Sequence, residues 1–296
     1  MSDSGNIPRI PHNFLALPHE QSRLDKAKAV LIPIPYDSTT SFRTGARDGP
    51  NAMIQASTGL EDYDTELDLD VSLVGIATTP SLEPHMGGPR KMAQRVRSVV
   101  ASYLGLGKLV GVLGGDHSLA AGSVQAHVDL YADLSVLYLD AHADLRNEYM
   151  GTCWGHASGA RRVFDVCPLV LAGIRSMSQE ENDFIKANSV PVFTWPSDLD
   201  QASFTQGIID LLSDHVYISV DLDVLDPALM PAVGTPEPGG MDWRQLMGLL
   251  KEVAQQRQIV GFDVCELSPG DGPPACSYTA AKLVFKMIAY ATAFAR

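Results

Sequence analysis

Ser135-Val136-Leu137-Tyr138-Leu139-Asp140-Ala141-His142-Ala143-Asp144 is an apolar run that passes directly into three ionisable residues at alternate positions. The first half has the length and composition of a buried strand. Alternate side chains of an extended segment project to one side, so Asp140, His142 and Asp144 can address one point. A carboxylate beside buried strands is costly unless a cation or hydrogen bonds compensate it. The same two-part pattern occurs twice more. Residues 109–113 run into Gly114-Gly115-Asp116-His117-Ser118, and residues 216–220 run into Asp221-Leu222-Asp223-Val224-Leu225-Asp226-Pro227.

Working outward, further apolar runs at 29–34, 71–76, 169–174, 191–193 and 259–264 predict strands. Helical spacing predicts helices over 51–57, 89–104, from about 178, and over 203–212, 243–256 and 278–294. Ser118 is placed to cap the helix behind it. Near-continuous apolar strands separated by helices mean an α/β fold with a mostly parallel sheet covered on both faces. Ligands of such sheets bind outside the carboxyl ends of the strands, where all three acidic clusters fall. No repeat or linker divides the chain. One domain over residues 1–296 is expected, with the Pro-rich, polar residues 1–25 as an N-terminal arm over the surface.

Composition narrows the class. The 296 residues are 45% hydrophobic and 19% charged, enough apolar content for a large core, and the net charge is -13 at pH 7. That charge disfavours nucleic acid and suits a cationic substrate. Cys153, Cys167, Cys265 and Cys276 form no CxxC pair and read as reduced thiols. Residues 1–9 have no signal-peptide core, and no apolar stretch is long enough to span a bilayer. A soluble cytoplasmic protein without membrane association is the expectation.

His117, Asp140, His142, Asp144, Asp221 and Asp223 together offer two imidazoles and four carboxylates. That set is too oxygen-rich for a structural zinc site. It suits manganese, with iron, cobalt, nickel or zinc as competitors. Four carboxylates balance two divalent ions better than one, and a water shared by two ions would ionise near neutral pH.

The segments GGDHS, DAHAD and SVDLDVLDPALMPAVGTPEPGG resemble the three signature segments of the ureohydrolases, the family of arginase and agmatinase, from about Ile34 to the C-terminus. The resemblance implies a three-layer α/β/α fold, two manganese ions and hydrolysis of a guanidino group to urea. Carried over by motif, His117, Asp140, Asp144 and Asp221 would hold one ion. Asp140, His142, Asp221 and Asp223 would hold the other, so that Asp140 and Asp221 bridge. Asp144 would also aim the nucleophile, and Asp116 would orient ligands from behind. His156, in Trp154-Gly155-His156-Ala157-Ser158, matches the histidine that passes a proton to the departing amine. Glu266, in Asp263-Val264-Cys265-Glu266-Leu267, matches the glutamate that receives the guanidinium. Relatives form trimers and hexamers, so a homo-oligomer is implied.

The resemblance is closer to agmatinase than to arginase. Arginases carry an Asp-containing segment after a Gly-Leu-Arg strand end, and a Ser-Gly-Asn run before the relay histidine; both hold the amino-acid head. Here Gly173-Ile174-Arg175 is followed by Ser176 and Ser178, and the second stretch is Gly151-Thr152-Cys153-Trp154-Gly155. Agmatine, which has a free amine in place of that head, is the expected substrate, and Glu148 is placed to pair with the amine. Guanidinobutyrate or guanidinopropionate would need a cation instead, for which Arg43, Arg47, Arg146, Arg161 and Arg162 are candidates; arginine is the remaining alternative. Rival classes fit less well. A binuclear phosphoesterase usually needs an Asn-His pair, which is absent, and a zinc deacylase would not keep both the GGDHS histidine and the full DAHAD set. A catalytically silent relative normally loses a ligand, whereas all six are present.

Overall fold

A computed structural model describes residues 9–295. Eight strands form one parallel sheet: β1 (Ala29–Pro33), β2 (Ile76–Thr78), β3 (Leu109–Leu113), β4 (Ser135–Leu139), β5 (Leu169–Ile174), β6 (Val192–Thr194), β7 (His215–Asp221) and β8 (Gln258–Cys265). Their spatial order is β2-β1-β3-β8-β7-β4-β5-β6, with every pairing parallel. A parallel sheet cannot be made from hairpins, so the chain must cross over between strands, and it does so through helices.

Alternation along the strands assigns the two faces. Leu31, Leu137, Leu139, Ile218 and Phe262 join the apolar layer built on α1 (Gly49–Ser57), α6 (Gln201–Ile209), α7 (Trp243–Gln256) and α8 (Pro274–Ala293). Val30, Ile32, Val136, Tyr138 and Tyr217 point the other way. They meet α2 (Pro89–Leu104), α3 (Ala120–Val128) and α4 (Gly159–Phe164), with α5 (Gln179–Asn188) alongside. The result is the three-layer α/β/α arrangement expected from apolar strands with no polar face.

Two local expectations are corrected. Residues 71–76 are not one strand. Asp70 accepts hydrogen bonds from Ser72 N at 2.9 Å and Ser72 Oγ at 2.7 Å, which winds Val71–Val74 into a 3₁₀ turn before β2 begins. Ser118 is not the cap of the following helix. Asp116 accepts from Ser118 N and leads a 3₁₀ turn over His117–Leu119, and α3 starts only at Ala120. Of the expected arm, residues 1–8 lie outside the described residues. Within the rest, Phe14 and Leu17 are buried in the α8-side core.

The register levels the carboxyl ends of the four central strands. Leu113 pairs with Val264, Val264 with Val220, and Val220 with Leu139. The next residue of each strand leads into the site.

Candidate metal centre

Four adjacent strand ends supply the site: His117 beyond β3, Glu266 beyond β8, Asp221 at the end of β7, and Asp140 beyond β4. The β3 loop can carry His117 inward because of Gly115. A Cβ there would lie 1.9 Å from the carbonyl oxygen of Tyr36, so only glycine admits the approach of the 36 and 115 backbones. Asp116 N donates to that same carbonyl at 2.7 Å, and Glu266 N donates to Gly115 O at 2.8 Å, locking the β1, β3 and β8 ends together.

Ligand-type atoms converge in three groups, each within 4.8 Å: His117–Asp140–Asp221 and Asp140–His142–Asp223, which overlap at Asp140, and His117–Asp263–Cys265 on the far side of the His117 ring. His117 Nδ1 lies 3.2 Å from Asp140 Oδ2, 3.3 Å from Asp221 Oδ2 and 4.0 Å from Asp144 Oδ2. His142 Nδ1 lies 2.9 Å from Asp223 Oδ2 and 3.5 Å from Asp140 Oδ1. Backbone amides aim the carboxylates: His142 N donates to Asp140 Oδ1, Ala141 N to Asp223 Oδ1 and Asp223 N to Asp221 Oδ1. Tyr138, stacked on His117 at 4.4 Å, donates its hydroxyl to Asp144 Oδ2 at 3.1 Å. Asp144 and Glu266 have φ of 51° and 69°, a conformation side chains rarely adopt and one found where surrounding structure over-determines the backbone.

The electrostatics are those of a cluster built for cations. Burial first, then neighbouring carboxylates, pushes Asp144 and Asp221 well above the ordinary carboxylate range and raises Asp223. Burial opposes charge on the two histidines. Hydrogen bonds to Asp140, Asp221 and Asp263 nevertheless hold His117 well above its usual value, and Asp223 with Asp140 pushes His142 up to about 12. Burial likewise works against a charged Asp140, but His117 and His142 bring it below its usual range. The two imidazole rings lie against the four buried carboxylates. This mixed oxygen and nitrogen donor set fits hard or borderline divalent metals.

Some participants carried little sequence signal. Ser219 Oγ lies 2.8 Å from His117 Nε2 and donates to Asp263 Oδ1 at 2.8 Å. Tyr217 donates to the other oxygen of Asp263 at 2.7 Å. The available hint was a polar residue inside an otherwise apolar, doubly covered strand.

A cavity of about 240 Å³ opens over the cluster. His142, Asp144, His156, Asp221 and Glu266 line it, so the proposed relay and guanidinium residues face the metal-type donors. Burial, then Asp221 and Asp116, holds Glu266 well above the usual glutamate range. His156 is lowered by burial, against the pull of Asp116. Glu148 is exposed and does not line the cavity; Glu181, buried behind Ser178, does. Among the five arginines considered for a carboxylate tail, Arg43 and Arg146 reach the cavity wall. Each faces a carboxylate already, Asp271 at 3.5 Å and Glu181 at 3.9 Å. Asp116 bonds Thr39 and Ser118 rather than a metal-type donor.

Known proteins resemble this chain in sequence and fold. The Arginase family model matches residues 27–289. The N(1)-aminopropylagmatine ureohydrolase of Thermus thermophilus is 40% identical over 89% of this chain and 90% of its own. That of Synechocystis is 34% identical over 95% and 94%. The crystal structure of agmatine ureohydrolase from Thermoplasma volcanium superposes with a TM-score of 0.87 at 32% identity, covering 96% of this chain and 95% of that one. The fold, the strand-end clusters and these matches make this chain an enzyme of the arginase (ureohydrolase) family.

Proposed function

We propose that the chain hydrolyses agmatine to putrescine and urea, using two manganese ions. The observation that carries the substrate reading is the cavity wall. Ser176 and Ser178 stand where arginase-type aspartates would hold an α-amino group, and both lining arginines already face carboxylates. The wall therefore suits an amine tail rather than an amino-acid head or a free carboxylate. Glu181 lines that wall where Glu148 does not, but its oxygens already accept from Leu145 N and from Ser178 N and Oγ, so it lends the wall negative character rather than serving as a free partner for the amine. N(1)-aminopropylagmatine is the second reading, supported by the two relatives that carry that name.

One ion would be held by His117, Asp140, Asp144 and Asp221, the other by Asp140, His142, Asp221 and Asp223. The overlapping donor groups that share Asp140 support this division. When bound, such a pair supplies a water ionised near neutral pH and charge stabilisation at the guanidine carbon. Asp144, held by Tyr138, accepts a hydrogen bond from the attacking oxygen and aims it. Glu266, fixed through Oε1 by His117 N at 2.8 Å, pairs with the guanidinium and holds its carbon for attack. A guanidinium beside Glu266 offsets the burial that otherwise favours its protonated form. His156 gives a proton to the departing amine.

The test is urea release, with manganese present, from agmatine, N(1)-aminopropylagmatine, arginine, guanidinobutyrate, guanidinopropionate and guanidine. Agmatine should give the highest kcat/KM. Preference for a carboxylate-ended guanidine or for arginine would overturn the substrate reading. Urea from none of them would overturn the activity.

A further inference from the structure

His156 sits on a chain of polar contacts that uses none of the metal-type donors. Thr39, from the loop after β1, places Oγ1 3.0 Å from Asp116 Oδ2 and 3.3 Å from His156 Nδ1, and His156 N donates to the same oxygen at 2.9 Å. On the other side of the ring, Nε2 lies 3.2 Å from Ser41 Oγ. Asp116 is fully buried.

Proton accounting, with Asp116 as a carboxylate, gives these distances one consistent meaning. Asp116 Oδ2 accepts from Thr39 N at 3.1 Å, and Oδ1 accepts from Ser118 N at 3.2 Å and from Ser118 Oγ. Burial opposes the charge on Asp116, and these converging donors offset it. Two oxygens 3.0 Å apart need a hydrogen between them, which an ionised Asp116 does not supply. The Thr39 hydroxyl supplies it and has no other hydrogen to give. Its remaining two acceptor positions match the two nitrogens that approach it, His156 N and His156 Nδ1. Nδ1 must then be the donor. In a neutral imidazole this leaves Nε2 with the lone pair. Nε2 faces Ser41, an exposed cavity-lining hydroxyl that can donate to it or swing aside.

We propose that Asp116 and Thr39 are positioning residues that fix His156 in the Nδ1-protonated tautomer, making Nε2 the single ring atom that exchanges protons with the cavity. The assignment deepens the relay role given to His156 above and rests on it. In the working cycle, the neutral ring takes at Nε2 the proton released as the attacking water ionises, keeps Nδ1–H on Thr39, and passes the Nε2 proton to the amine nitrogen as the carbon–nitrogen bond breaks. The ring is left as the Nδ1–H tautomer. The proton shed by the oxygen of the nascent urea goes to the departed amine, so the turnover ends with the ring neutral. No second tautomer is visited, so the ring need neither flip nor exchange hydrogen-bond partners within a turnover.

The tautomer is read directly from ¹⁵N-histidine NMR spectra of the protein loaded with zinc, which is diamagnetic. The His156 signal is the one missing in His156→Gln. Wild type and Thr39→Ser should show a neutral ring protonated at Nδ1. Thr39→Val, which removes the acceptor at nearly constant shape, should shift the population toward Nε2–H. It should also lower kcat on agmatine by at least about tenfold, with KM and manganese content unchanged and with recovery in Thr39→Ser. An Nε2-protonated ring in the wild type overturns the proposal whatever the variants do, including one that fails to fold. So does Thr39→Val with wild-type tautomer and kcat. If no guanidine yields urea, the functional reading fails separately, and the spectra still decide the tautomer.

Discussion

At the residue scale, Asp140 is the hinge of the proposed chemistry. It belongs to both donor groups, is fully buried, and is the one member of the cluster drawn below its ordinary range, because His117 and His142 flank it. Asp140→Ala should lose both metal and turnover. Metal analysis of the purified variant, with urea release, checks this; full activity would disprove the bridging role. Ser219 is a subtler case, because it lines no part of the cavity and joins the far nitrogen of His117 to Asp263. Partners behind a ligating histidine typically tune metal affinity by about 10- to 100-fold. Ser219→Ala should therefore weaken metal binding by about that factor, measured by competition with a chelator, while leaving KM for the guanidine unchanged. The DAHAD and GGDHS residues stood out because ionisable clusters follow three separate apolar strand runs, a coincidence that capping or turn roles for each cluster alone do not explain. Ser219 and Asp263 did not, because a lone polar residue within a strand gives no sign of which neighbour it will bond.

At the element scale, the site depends on how closely the strand-end loops approach. Gly115 lets the β3 loop pass the carbonyl of Tyr36, and Arg175 gathers the loops on the far side. The Arg175 guanidinium donates to the carbonyls of Asp223 at 2.6 Å and Glu237 at 2.7 Å, tying the β7 loop to the 237–238 turn. Gly115→Ala should force those backbones apart and cost more than about 2 kcal/mol, the range of overpacking and lost-network mutations. Urea denaturation of the metal-free form measures it, and a loss under 1 kcal/mol would show that the loops give way freely. Helix and strand positions were largely readable from periodicity. Where the reading went wrong, at 71–76 and at Ser118, an aspartate side chain captured backbone amides and turned the chain. Such capture is a three-dimensional event that apolar patterning does not register.

At the scale of the whole molecule, an acidic chain gathers four carboxylates at the ends of its central strands, and cations held there would join elements from distant parts of the sequence. Metal should therefore stabilise the fold. The sign with pH follows from the shifts. Asp144, Asp221, Asp223 and His142 all have raised pKa values in the metal-free fold, Asp140 alone opposing. Raised groups stabilise the metal-free fold below their unfolded pKa values, and that contribution is lost as pH climbs through their folded values. Metal needs the deprotonated ligands, so its affinity rises with pH. The increase in Tm on adding manganese should accordingly be larger at pH 8 than at pH 6, by differential scanning calorimetry of the same sample with and without chelator. An equal or smaller increase at pH 8 would contradict the proton-linked cluster. Among the described residues no helix is long and apolar enough to cross a membrane.

Sequence alone determined the parallel α/β class and the family, and it singled out six candidate metal ligands, because apolar strand runs and alternate ionisable side chains are local patterns that one chain segment displays by itself. Tertiary structure decided that Glu181 lines the cavity and Glu148 does not, which arginines line it, and that Thr39 touches both Asp116 and His156. Those outcomes depend on loops from different strands meeting over the sheet, at separations such as 77 residues for Thr39 and Asp116. No spacing rule spans such distances: chain entropy leaves the loops free until the packed core fixes the strand ends beneath them.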